Sequence, residues 1–177
     1  IGDLPLISVS QKPIDFGKNL CVGDVGISEV NCRRQLLIGA RSAKTKYICA
    51  AESDFLYPPD YFKFIPTSDT TIFLIIPIYV LFSQRKKKTL YIAKAKGCEG
   101  AMIVNREYII QRLEYILSHT EKWQRKRTDD RIIPQLLTES KLNYFKSDIG
   151  AISFKTDENM HRRTPVNWEA KHMDLPH

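Results

Sequence analysis

The chain has 177 residues, 43% of them hydrophobic and 27% charged, which excludes a disordered tract, a collagen-like repeat and a disulfide-stapled miniprotein. A chain of this length buries roughly 70% of its unfolded surface around a core, so it needs no structural metal to fold. Lys and Arg number 27 against 20 Asp and Glu, and the resulting net charge of +7 favours an anionic partner such as nucleic acid, a phosphorylated substrate or a membrane surface.

In chain order, Leu6 to Ser10 and Leu20 to Val22 read as short buried strands on either side of the turn QKPIDFGKN. The period then changes. From Ser28, a plausible N-cap, a helical pattern places Cys32, Leu36, Ala40 and Ala43 on one stripe and leaves Arg33, Arg34, Arg41 and Lys44 for the other face. Tyr47 to Ala51 is an apolar run of strand length that stops at Glu52-Ser53-Asp54. Acidic residues at the carboxyl end of a strand lie where open α/β sheets place ligands.

FLYPPDYF reads as a helical turn capped by Pro58 and Pro59, and Thr71 to Phe82, which contains Pro77, as a core strand pair. That run is too short for a membrane span of ~20 residues. A basic turn, Arg85 to Lys88, leads to a strand over Thr89 to Ala93 and then to the glycine-bracketed loop Lys96 to Gly100. AMIV is a strand, and Asn105 caps a helix whose face is Ile109, Leu113, Ile116 and Leu117. WQRKRTDDR is a charged connection, IIPQLLTES a short helix and GAISF a last strand before a polar tail.

The expected fold is therefore α/β, a single Rossmann-like domain with a mixed central sheet flanked by helices. Cys21, Cys32, Cys49 and Cys98 have neither C-x-x-C spacing nor the density of a secreted scaffold, and they read as buried, reduced thiols of a cytoplasmic protein. The amino-terminal IGDLPLISVS carries no signal-peptide pattern.

The strongest chemical signal is the segment AKTKYICAAESDFLYPPDYF. Two acids spaced by one residue beyond a buried strand can hold a divalent cation and meet a ribose, or can merely cap the next turn. With the upstream LISVSQKPIDFGKNLCVG, this order of helix, strand, ESD and aromatic-proline segment resembles the nucleotide-sugar core of GT-A glycosyltransferases, in particular family-two-like members. Glu52 stands where that family's DxD motif has its first Asp.

The resemblance spans roughly residues 6 to 120 and implies a donor half over 1–57, an acceptor half over 58–155 and a polar tail over 156–177. It also implies a nucleotide diphosphate sugar as donor, a UDP-sugar first among them, with manganese or magnesium bridging Asp54 to the diphosphate. Gln11, Lys12, Glu52, Asp54 and Arg162 are then donor-binding candidates. Asp54, Glu52 and His161 are metal candidates, with Asp157 or Asn159 in place of His161 as alternatives, and Arg163 stands beside Arg162 to meet phosphate.

Inverting transfer needs a carboxylate that takes the acceptor hydroxyl's proton, and Glu99 between its two glycines is the candidate, ahead of Asp129 and Asp130. A retaining course stays open. The basic clusters Arg85, Lys86, Lys87 and Lys88, Lys94 and Lys96, and Arg125 and Arg127 suit a polyanionic acceptor, with Trp123, Tyr91 and Tyr144 as stacking surfaces. Small phage-type enzymes that glycosylate hydroxymethylated pyrimidines in DNA combine these features. A non-catalytic basic nucleic-acid-binding domain, or a transferase acting on protein, glycan or lipid, are the other readings. A nucleotidyltransferase is disfavoured, because no glycine-rich phosphate loop is present near the amino terminus.

Overall fold

The computed structural model describes residues 2–84, 87–94, 97–120, 123–124 and 134–156, and for 82–84, 87–94 and 155–156 the backbone alone. The described elements run β1 (Ile7–Ser10), β2 (Lys18–Cys21), α1 (Glu29–Ser42), β3 (Tyr47–Cys49), β4 (Phe55–Leu56), β5 (Ile72–Gln84), β6 (Lys87–Lys94), β7 (Met102–Asn105), α2 (Arg106–Ser118) and β8 (Leu142–Thr156), with 3-10 turns over Tyr61–Lys63 and Glu99–Ala101. The fold is α/β with a mixed sheet and two long helices. It divides into two compact units, Ile1–Ala50 with Ile65–Ile72 and Ile103–Asn143, and Ala51–Phe64 with Phe73–Met102 and Tyr144–His177. Each unit draws on three stretches of chain.

In the first unit β1 and β2 form their own parallel two-stranded sheet, and β3 pairs antiparallel with β7 in the register Tyr47 to Asn105. Gly17 has φ +63 and presses on Leu6, where a Cβ would lie 2.6 Å from the Leu6 carbonyl oxygen, so only glycine fits that turn. Helix α1 packs on α2 and on β1. Ser28 and Asn105 cap the two helices as expected, their side chains accepting the backbone N–H of Asn31 at 3.0 Å and of Tyr108 at 3.1 Å.

The α2 face is the expected one, with Ile109, Leu113, Ile116 and Leu117 all buried. The α1 face is not. Val30, Asn31, Arg33, Leu37 and Ala40 are buried, whereas Cys32 is exposed and Leu36 half-buried. Arg33 turns inward because its guanidinium finds acceptors there, Glu29, the Pro134 carbonyl at 3.2 Å and the Gln135 side chain at 3.2 Å. Asn31 is buried for the same reason, exchanging two 2.8 Å bonds with the backbone of Gln124. Residues 134–140 form turns in place of the expected short helix, since the backbone bonds there, Glu139 to Gln135 and Ser140 to Leu137, are long at 3.4 Å and do not propagate.

β5, whose residues from Phe73 onward belong to the second unit, is one 13-residue strand, Ile72–Gln84, not the expected strand pair. Its described pairing with β6 includes Ile78 opposite Lys94. β8 lies between β5 and β4 and runs the full span Leu142–Thr156, longer than the GAISF read from the sequence. Gly150, with φ +78, lets β8 approach β5, for a Cβ there would stand 2.7 Å from the Pro77 carbonyl oxygen. Leu74, Ile75, Ile78, Met102 and Tyr61 are almost fully buried, each aliphatic one contributing roughly 1.5–3 kcal/mol.

No disulfide joins the four cysteines; Cys21 and Cys32 are exposed and Cys49 and Cys98 half-buried, so the expectation of buried thiols fails for the first two. Among the described residues no helix is long and apolar enough to cross a membrane.

Candidate functional site

The acidic turn belongs wholly to the second unit. The Phe55 N–H donates to the Glu52 carbonyl at 3.2 Å and closes the turn, after which β4 adds to β8 with Phe55 opposite Ser153 and Leu56 opposite Ile152. One further bond, from the Phe154 N–H to the Asp54 carbonyl at 2.7 Å, fastens the turn to the carboxyl end of β8. A two-residue strand has little stability of its own, so the position of Asp54 is inherited from β8.

Glu99 opens a 3-10 turn that follows Cys98 in extended conformation, with the Ala101 N–H donating to the Cys98 carbonyl at 3.1 Å. Both bracketing glycines are needed for close approach rather than for a special backbone angle. Gly97 lies against the Leu74 side chain. Gly100 is buried beneath the Glu52 carboxylate, where a Cβ would be 2.6 Å from the carboxyl carbon and 2.8 Å from each oxygen. The fold therefore brings the Glu52 side chain onto the residue that follows Glu99. Glu52 is exposed, and Asp54 and Glu99 are half-buried.

Tyr57 was not singled out in the sequence, yet it joins these parts. Its hydroxyl accepts the Glu52 N–H at 2.8 Å and donates to the Gly100 carbonyl in a short bond. Its ring is stacked between Phe55 at 5.5 Å and Tyr61 at 4.8 Å, and the Tyr61 hydroxyl donates to the Met102 carbonyl at 2.8 Å. Burial first, and then the negative charge of Glu52, Cys98 and Asp54 nearby, hold the Tyr57 hydroxyl well above the usual phenol range, against the opposing effect of the Glu52 backbone bond. It stays a protonated donor at any physiological pH. The sequence signal was available in the four-residue spacing of Tyr57 and Tyr61 after the acidic pair.

The other expected site residues are placed as follows. Gln11 and Lys12 belong to the first unit. The Gln11 side chain accepts the N–H groups of Val25 and Gly26 and donates to the Gly26 carbonyl, all at 3.1 Å, so both ends of its amide clamp a loop. Lys12 is exposed. Lys87, Lys88, Lys94 and Tyr91 lie on β6, Trp123 is half-buried, and Tyr144 is 43% exposed on β8. His161, Arg162, Arg163, Asp157, Asn159, Asp129, Asp130, Arg85, Lys86, Lys96, Arg125 and Arg127 lie outside the described residues.

Among the described residues no three His, Cys, Asp or Glu side chains gather as a metal-ligand group. Magnesium and similar hard ions need only one or two carboxylates together with substrate phosphate and water, and Glu52 and Asp54 are the two acids of the turn. Comparison of the chain with protein-family models, with curated proteins and with solved structures finds no match.

Proposed function

We propose that the chain is a metal-assisted glycosyltransferase that moves a sugar from a nucleotide diphosphate sugar to a hydroxyl, with a hydroxymethylated pyrimidine in DNA as the favoured acceptor. One observation carries the reading: the Glu52 carboxylate lies on Gly100, beside Glu99, while the Asp54 carbonyl holds the end of β8. A carboxylate of the acidic turn thus lies on the residue that follows Glu99, and the same turn is bonded to β8 through its backbone.

In this reading a bound manganese or magnesium ion supplies neutralisation of the leaving diphosphate. Asp54 and Glu52 would hold such a cation through their carboxylates. Glu99 accepts the proton of the acceptor hydroxyl as that oxygen bonds to the anomeric carbon, while the bond from the anomeric carbon to the phosphate oxygen breaks and its electron pair leaves with the diphosphate. The net charge of +7 supports an anionic acceptor, whose phosphates add affinity without sequence reading.

The test is incubation with manganese, a panel of nucleotide sugars and hydroxymethylated DNA, followed by digestion and mass analysis of the nucleosides. A hexose-sized mass gain on the hydroxymethylated nucleoside is expected. Salt-sensitive DNA binding without any sugar transfer from the whole panel would overturn the enzymatic reading in favour of a nucleic-acid-binding domain.

A further inference from the structure

The acidic turn and the Glu99 loop are separated by more than forty residues of chain, and a shared catalytic role requires their spacing to be held within a fraction of an ångström. Side-chain contact between Glu52 and Gly100 cannot do this, because Glu52 is exposed and its carboxylate ends a flexible side chain. A rigid link between the two backbones is required. We infer that the Tyr57 hydroxyl is that link, a positioning group that sets the distance between the Glu52–Asp54 turn and the Glu99–Gly100 loop.

Its geometry suits the role. One oxygen accepts from the backbone of residue 52 and donates to the backbone of residue 100, so the two segments are bound through a single atom. The ring cannot swing, being stacked on Phe55 and Tyr61 and met edge-on by Phe62 at 5.8 Å. Tyr61, fully buried, grips Met102 two residues further along. The pair thus holds alternate carbonyls of one segment, and the Tyr57 hydroxyl also bonds the acidic turn.

The inference takes its catalytic meaning from the glycosyltransferase reading, while its geometry stands apart from that reading. The experiment therefore has two arms, both on the full chain, with Tyr57→Phe and with Tyr61→Phe as comparison. In the first, amide exchange is followed by NMR. Tyr57→Phe is expected to speed exchange at the Glu52 amide at least tenfold, beyond any change in global stability, while Tyr61→Phe leaves that amide at its wild-type rate once normalised in the same way. Unchanged exchange in Tyr57→Phe, or equal acceleration in both variants, overturns the inference. In the second, Tyr57→Phe lowers kcat for sugar transfer about tenfold with the donor KM within twofold, and an unaltered kcat overturns it. A wild-type chain with no transferase activity counts against the glycosyltransferase reading, and the exchange arm then decides the link by itself.

Discussion

The Glu52 carboxylate occupies the space that any side chain at Gly100 would need, with 2.6 Å between the carboxyl carbon and the position of a Cβ. The obstacle is the far end of an exposed side chain, so it can move aside. Gly100→Ala is therefore expected to change stability by no more than about 1 kcal/mol, yet to turn the carboxylate away from the Glu99 loop and lower sugar transfer about tenfold. Urea titration and initial rates check the two parts. Glu52→Ala with Gly100→Ala should be far from additive in rate, because the second change has nothing left to displace.

Arg33 and Arg41, on the same helix, should differ sharply when truncated. Arg33 is 1% exposed and bonded to Glu29, Pro134 and Gln135. Arg33→Ala is expected to cost about 3 kcal/mol, since it strips three acceptors of a buried partner. Arg41 meets Glu114 at 2.7 Å with both side chains about half exposed, and Arg41→Ala should stay within about 0.5 kcal/mol. Denaturant midpoints at fixed pH measure both, and equal costs would contradict the burial of Arg33.

Burial pushes the Cys49 thiol from 9.0 up to about 11. The unfolded chain releases this proton near its ordinary value and the folded chain only near the raised one, so between them the folded state binds more protons. Stability from this group is complete below about pH 9 and is lost as pH rises towards about 11, a total of at most about 3 kcal/mol. Urea midpoints between pH 8 and 11 should fall less steeply for Cys49→Ala than for the wild type. Parallel slopes would show that the thiol does not contribute.

Much of the helical structure was legible because caps and periodicity agreed. Ser28 and Asn105 each cap as read, and Ile109, Leu113, Ile116 and Leu117 recur at the spacing of a single face. Helix α1 was misread because polarity does not decide burial when buried acceptors are supplied by distant residues: Arg33 finds Gln135 and Asn31 finds Gln124 across about a hundred positions, contacts no local pattern reveals. The run Thr71 to Phe82 reads as a strand pair containing Pro77, whereas Ile72–Gln84 is one continuous strand, a span that local pattern alone does not reveal.

The site was legible in part for related reasons. Glu52, Asp54 and Glu99 stood out by residue type and by their place beside a strand end and two glycines, and the fold does draw the Glu52 carboxylate to Gly100. Tyr57 did not stand out, because an aromatic next to two prolines most often just packs. Its function as a link depends on two backbone groups far apart in sequence. The bonds of Gln11 to the loop at Val25 and Gly26 join groups about fifteen positions apart, which no local pattern shows.

The most direct measurement is manganese-dependent transfer from a nucleotide sugar by the wild type and by Asp54→Asn. Asp54 is tied to β8 through its backbone carbonyl, which the substitution retains, so circular dichroism and thermal midpoint should be nearly unchanged. The account predicts that the variant loses transfer by ~10²-fold or more together with metal-dependent donor binding. Wild-type turnover in a correctly folded Asp54→Asn would contradict it.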